Sequence, residues 1–180
     1  PFGSYQISRE EGIKNAIRIM KETGVDALKI EGGAEIADTI KGIIHAGIPV
    51  MGHLGLTPQS IHKFGGYGLR AKTESEAKKL MDDALCLEQV GCFGITLEKV
   101  PAQLATQVTQ AVNCATIGIG AGNGTDGQIL VYADMLGLTH EFKPKFLRQY
   151  AHLYDTITEA VGHYIADVKS TDFPNAQESY

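Results

Sequence analysis

The sequence contains no tryptophan, only three cysteines and no long apolar run. Cys86, Cys92 and Cys114 are an odd-numbered set without CxxC spacing, which argues against a disulfide framework and against a zinc site. No window approaches the run of about 18 apolar residues that a membrane-spanning helix needs, and no basic-then-apolar leader is visible. We therefore expect a cytoplasmic protein with reduced thiols.

Positive charge is also scarce, since the chain has 16 Lys and Arg residues against 21 Asp and Glu residues and a net charge of −5. Such a chain has no general electrostatic attraction for nucleic acid or for an anionic membrane, so neither is an expected partner. Glycine is abundant, with 21 of 180 residues, but 43% of the chain is apolar. We therefore expect the glycines at turns of a folded protein, and no linker divides residues 1–180 into more than a single domain.

Short apolar segments alternate along the chain with amphipathic ones. Capping boxes at Ser8 and Thr73 begin two predicted helices, and Gly24 and Gly91 end them. Further helices are predicted at residues 36–44, 101–108 and about 146–168, and strands at 27–31, 48–51, 93–97, 115–119 and 128–131. This alternation is typical of βα repeats around a parallel sheet, with one long irregular connection at residues 53–72.

Polar residues cluster where the predicted strands end, which is where parallel βα folds bind ligands. Lys29 and Glu31 lie two apart on one strand, so both side chains project to the same face. Two interpretations stay open. The pair is either a mutual ion pair at a strand end or a group that serves a ligand or metal, because burying charges without a partner is costly.

His53 and Glu98 are the other candidates, each placed at the end of a predicted strand. His53 is either a structural histidine or a participant in the chemistry. Glu98 follows an apolar strand, and a carboxylate in such a setting is suited to act as a general base. The Gly-rich string 122–127 formally fits GxGxxG, but no amphipathic helix opens from it, so we expect a turn that lines a pocket. His62 and Lys63 are expected to be solvated loop residues.

Taken in order, these residues resemble the ketopantoate hydroxymethyltransferase family. The most specific string is Gly52-His53-Leu54-Gly55-Leu56-Thr57-Pro58-Gln59. The others lie at residues 1–2, 4–5, 29–33, 64–67, 97–98, 100–101, 117–122, 126–131, 134–137 and 144–146. The resemblance therefore spans essentially the whole chain.

The resemblance implies a TIM (β/α)8 barrel of the phosphoenolpyruvate/pyruvate superfamily and a one-carbon transfer from 5,10-methylenetetrahydrofolate to 3-methyl-2-oxobutanoate. It implies that a magnesium ion chelates the 2-oxo acid and stabilises its enolate. By the same resemblance Glu98 is the catalytic base at C3, Lys29 contacts the oxo acid, Glu31 is a metal ligand and His53 belongs to the substrate pocket. The family also implies self-association into a homo-oligomer, a decamer.

The sequence departs from the family pattern at Leu69-Arg70-Ala71-Lys72, at Ala133 and at Gln177-Glu178-Ser179, which bears on loop closure and folate contacts. The family's other two metal aspartates would lie upstream of Pro1. Because a TIM barrel needs about 250 residues, we expect the C-terminal two-thirds of such an enzyme, a partial barrel of about five βα units that is inactive alone. The alternatives are a different 2-oxo acid lyase of the superfamily and a non-catalytic truncated paralogue.

Overall fold

The structure, a computed structural model, describes residues 1–180 and has a five-stranded parallel sheet at its centre. The strands are β1 (Leu28–Glu31), β2 (Val50–Gly55), β3 (Gly94–Glu98), β4 (Ala115–Ile119) and β5 (Gly127–Gln128). They lie side by side in chain order, all parallel. A doubly wound sheet reverses its strand order, whereas the wall of a (β/α)8 barrel does not. The predicted fold class, an α/β partial barrel of five strands, is confirmed.

Helices connect the strands as the alternating pattern predicts. They are α1 (Arg9–Thr23), α2 (Ala37–His45), the short α3 (Ile61–Phe64), α4 (Glu74–Gln89) and α5 (Ala102–Ala111). The caps explain the boundaries, because the Ser8 and Thr73 hydroxyls accept the backbone N–H groups of Glu11 and Glu76. Gly24 ends α1 in the left-handed conformation, with a φ of 67°. The predicted N-caps are therefore confirmed, whereas the glutamates do not complete the capping boxes: Glu11 binds Lys14, and Glu76 accepts the Lys72 N–H.

The core lies between the helices and one face of the sheet. Ile30, Val50, Ile95 and Leu97 on that face are at most 5% exposed. Leu87 of α4 packs directly on β2 at Gly52, where an added Cβ would lie 2.6 Å from a Leu87 methyl group. Because side chains alternate along a strand, this packing directs the other set of side chains to the opposite face of the sheet.

Several predicted boundaries are wrong. The second strand runs to Gly55, because Leu54 and Gly55 pair with Leu97 and Glu98. His53 therefore lies inside the strand, and the long connection begins after Gly55 rather than at residue 53. A 3-10 turn at Pro58–Ser60 and helix α3 give that connection regular structure. The fifth strand stops at Gln128, because the chain turns at Val131, whose carbonyl accepts from the next helix.

The chain divides into two compact units, Pro1–Ile129 with the sheet and Leu130–Tyr180. The second unit contains α6 (Tyr132–Met135) and α7 (Leu153–Ser170). Its long helix begins later than the predicted residue 146, because Tyr150 and Leu153 donate backbone hydrogen bonds to the last residues of α6 instead. The three cysteines are free, as predicted. None of the helices is both long enough and apolar enough to span a membrane.

Candidate active site

The sheet face opposite the core carries the candidate residues. In the strand register Glu31 lies beside His53, His53 beside Thr96, and Gly55 beside Glu98. The two-residue repeat of a strand therefore places Glu31, His53 and Glu98 on one face, near the carboxyl ends of three neighbouring strands. The structure thus brings together three of the four residues that the sequence singled out.

The imidazole of His53 lies between two carboxylates and is 2% exposed. Its Nε2 is 3.2 Å from Oε2 of Glu98, and its Nδ1 is 3.9 Å from Oε1 of Glu31. Neither ring nitrogen has a hydrogen-bond partner of acceptable geometry. Buried polar atoms are nearly always hydrogen-bonded, so an imidazole without a partner between two carboxylates marks a candidate ligand site.

Two hydrogen bonds from distant parts of the chain fix Glu31. Its Oε2 accepts the backbone N–H of Gln59 at 2.8 Å, and its carbonyl oxygen accepts the Tyr5 hydroxyl at 3.0 Å. Burial, followed by the negative charge of Glu31, raises the pKa of Tyr5 to about 12, so this hydroxyl stays a donor across the physiological range. Glu31 therefore holds one carboxylate oxygen towards His53 and the other towards the 3-10 turn.

Gly55 makes room for the end of β3. It lies opposite Glu98 in the register, and a Cβ at Gly55 would overlap the Glu98 carbonyl oxygen. That carbonyl accepts the backbone N–H of Leu56 at 2.8 Å, so β2 and β3 stay joined to their last residues. The Glu98 side chain, 17% exposed, is thereby held on the open face beside His53.

Lys29 lies two residues before Glu31 on β1, further from the carboxyl end of the strand, and its side chain is exposed on the same face of the sheet. It forms no ion pair with Glu31, so the structure does not support the mutual ion pair that the sequence left open. Residues 1–180 contain no group of three His, Cys, Asp or Glu side chains arranged to hold a metal ion. Glu31 can offer one carboxylate oxygen, but these residues do not by themselves form the octahedral oxygen shell that magnesium needs.

A cleft of about 280 Å³ opens beside Glu31 and Gly55 and is also lined by Lys63, Phe64 and Arg70. The guanidinium of Arg70 stacks over the Phe64 ring at 4.2 Å. His62 and Lys63 are both exposed, as expected, but they lie in α3 rather than in a loop, and Lys63 also lines the cleft.

The Gly-rich string forms a turn rather than the start of a helix. It leads into β5, and Gly122 adopts a φ of 76°. Asp126 in this turn accepts the backbone N–H and the hydroxyl of Thr116 at 2.7 and 2.9 Å. These hydrogen bonds lower the pKa of Asp126, so the turn is clamped to β4 by a carboxylate.

Sequence reasoning missed four contributors to this site. Alternation along the third strand could have found Thr96, which is 1% exposed and shares the face of Glu98. Tyr5 donates its hydroxyl to a backbone carbonyl, Gln59 donates its backbone N–H, and Gly55 acts through a missing side chain; no local pattern signals such roles.

Comparisons with known proteins agree with this geometry. The sequence profile of the ketopantoate hydroxymethyltransferase family matches residues 1–176. The proteins named 3-methyl-2-oxobutanoate hydroxymethyltransferase from Flavobacterium johnsoniae and Christiangramia forsetii are each 61% identical over all 180 residues, and that from Bacteroides fragilis is 59% identical. The chain spans 66% of the length of each of these relatives. With a profile match over nearly its whole length, the chain belongs to the ketopantoate hydroxymethyltransferase family.

Proposed function

We propose that the protein containing this chain transfers a hydroxymethyl group to C3 of 3-methyl-2-oxobutanoate and thereby forms ketopantoate. Family membership and the names of the relatives support this reaction. The structural observation that carries it is the Glu98 carboxylate beside the buried, unsatisfied imidazole of His53. A base and a polar anchor at the strand ends are what a proton abstraction next to a carbonyl requires.

Glu98 is the proposed general base. It takes the proton from C3 of the 2-oxo acid, and the electron pair of that C–H bond becomes the enolate. Water hydrolyses the methylene bridge of 5,10-methylenetetrahydrofolate, the proposed donor: both C–N bonds break, the two nitrogens take the protons, tetrahydrofolate leaves and the carbon is released at the oxidation level of formaldehyde. The enolate carbon bonds to this carbon, and the resulting alkoxide takes back the proton held by Glu98 to become the hydroxymethyl group. Positioned general bases contribute about 10²- to 10⁴-fold to such steps.

His53 and Lys29 are the proposed substrate contacts. With both nitrogens unsatisfied, His53 has an N–H to donate to an oxygen of the 2-oxo acid next to Glu98. Lys29 presents an unpaired cation on the same face, and a cation suits the carboxylate of the substrate. Both residues therefore bind and orient the 2-oxo acid, while Glu98 moves the proton.

Glu31 is the proposed ligand from this chain for magnesium. Its Oε1 points towards His53, whereas its Oε2 is committed to the Gln59 amide. Residues 1–180 contain no cluster of three such ligands, and the steps proposed for Glu98, His53 and Lys29 do not involve the ion.

Product analysis tests this function. The full-length protein is incubated with 5,10-methylenetetrahydrofolate and 3-methyl-2-oxobutanoate, and the product is identified by NMR. We expect a new hydroxymethyl signal on a quaternary C3. Pyruvate under the same conditions is the comparison for a different 2-oxo acid activity. Absence of product from 3-methyl-2-oxobutanoate, or faster reaction of pyruvate, would overturn the proposal.

A further inference from the structure

Lys99 directly follows the proposed base and has a backbone conformation that is unusual for a residue with a side chain. Its φ of 47° lies in the left-handed region, which glycine adopts freely and which a Cβ disfavours. The Lys99 N–H donates to the carbonyl of Ile119 at 2.9 Å, so the neighbouring strand end fixes this conformation. Unfavourable backbone geometry beside a candidate site points to a function for the residue that carries it.

The side chain and the carbonyl group of Lys99 both contact the loop at residues 65–71. The ammonium donates a hydrogen bond to the carbonyl oxygen of Tyr67. The Lys99 carbonyl accepts the backbone N–H of Arg70 at 2.8 Å. Lys99 therefore joins the loop to the end of β3 at two points that are three residues apart.

The loop is fixed at its ends, where the Gly66 N–H donates to the Ile61 carbonyl and Ala71 is buried, but little else packs against its middle. Three of its glycines have no atom within 4 Å of the position that a Cβ would occupy: Gly65, Gly66 and Gly68. Tyr67 between them is 62% exposed. The Arg70 side chain, stacked on Phe64 and paired with Glu76 at 3.0 Å, secures the far end of the loop. A glycine-rich segment without packing is conformationally free between its fixed ends, so the position of its middle, at Tyr67, depends on the hydrogen bond that Lys99 donates.

We propose that Lys99 is a positioning residue that fastens the 65–71 loop to the carboxyl end of β3. The loop then bounds the space in which Glu98 meets its substrate. The identity of that substrate rests on the proposed function, whereas the fastening itself rests only on the contacts of Lys99.

Hydrogen exchange of the full-length protein without substrate tests the fastening. Lys99→Met keeps the length of the side chain and the backbone conformation but removes the donor. We expect amide exchange in peptides covering residues 65–71 to rise at least about tenfold, because loops held by few contacts open locally. Exchange in α4 serves as the internal control, and Lys99→Arg, which keeps a cationic donor, restores protection. Unchanged loop exchange in Lys99→Met overturns the proposal.

Lys99→Gly separates the side chain from the backbone. Glycine relieves the left-handed conformation, so the stability of the protein is retained or raised, but the ammonium is lost. We expect loop exchange as fast as in Lys99→Met. Native-like loop protection in Lys99→Gly would show that the side chain is not the anchor, and it would also overturn the proposal.

Steady-state kinetics test the consequence for the site. Because Lys99→Met leaves the Glu98 side chain in place, we expect KM for 3-methyl-2-oxobutanoate to rise about tenfold while kcat changes less than about threefold. A fall in kcat with unchanged KM contradicts a positioning role. If the native protein does not turn over this 2-oxo acid, the proposed function fails, and the exchange measurements still decide the role of Lys99.

Discussion

Gly55 on β2 lies directly opposite Glu98 on β3, and the Glu98 carbonyl oxygen occupies the space that a Cβ at Gly55 would fill. Gly55 also has a φ of 89°, and an added Cβ would lie 2.7 Å from a Val100 methyl group. The position of the proposed base therefore depends on the absence of a side chain on the neighbouring strand.

Gly55→Ala is predicted to destabilise the protein by about 2–4 kcal/mol, the combined cost of a strained backbone and of overpacking. It is also predicted to reduce turnover, because β3 must shift where Glu98 is attached. Urea unfolding and steady-state rates measure the two effects. Gly47→Ala is the matched control, since Gly47 has a φ of 90° with nothing within 4 Å of an added Cβ. Equal losses in both variants would show that backbone strain alone matters and that contact with Glu98 does not.

The Asp126 clamp makes stability depend on pH. Hydrogen bonds from the Thr116 N–H and hydroxyl lower the pKa of Asp126 in the folded state. The stability that they supply is therefore fully present above the ordinary carboxyl pKa of about 3.9 and is lost as pH falls through the folded-state value.

Asp126→Asn tests this clamp by urea unfolding at pH 7 and at about pH 3. At pH 7 we predict a loss of less than about 1 kcal/mol, because Asp126 is exposed and solvent screens its charged hydrogen bonds, and at the lower pH a smaller difference from the native protein. Asp172→Asn, at an exposed position of the second unit, is the control and should change neither value. A difference that is constant with pH would contradict the clamp.

Local patterns predicted the parts of the fold that local physics determines. The N-caps at Ser8 and Thr73 and the glycine at the end of α1 act within one helical turn, so sequence alone places them. The strand end at Gly55 was missed because it depends on pairing with β3, about 40 residues further along the chain.

The candidate site likewise contains features that local patterns predict and features that depend on distant parts of the chain. Alternation along β1 put Lys29 and Glu31 on one face, but whether they form an ion pair depended on the Gln59 amide, 28 residues away. The left-handed conformation of Lys99 could not be predicted from the sequence, because lysine is not among the residues that are enriched in this conformation.

Exchange at C3 of the substrate tests the role of Glu98 most directly. Full-length protein is placed in D₂O with 3-methyl-2-oxobutanoate and without the one-carbon donor, and loss of the C3 proton is followed by NMR. We predict that Glu98→Gln lowers the exchange rate by about 10²- to 10⁴-fold, whereas Glu159→Gln, at an exposed position in α7, leaves it unchanged. Exchange at the native rate in a folded Glu98→Gln variant would contradict the assignment of Glu98 as the base.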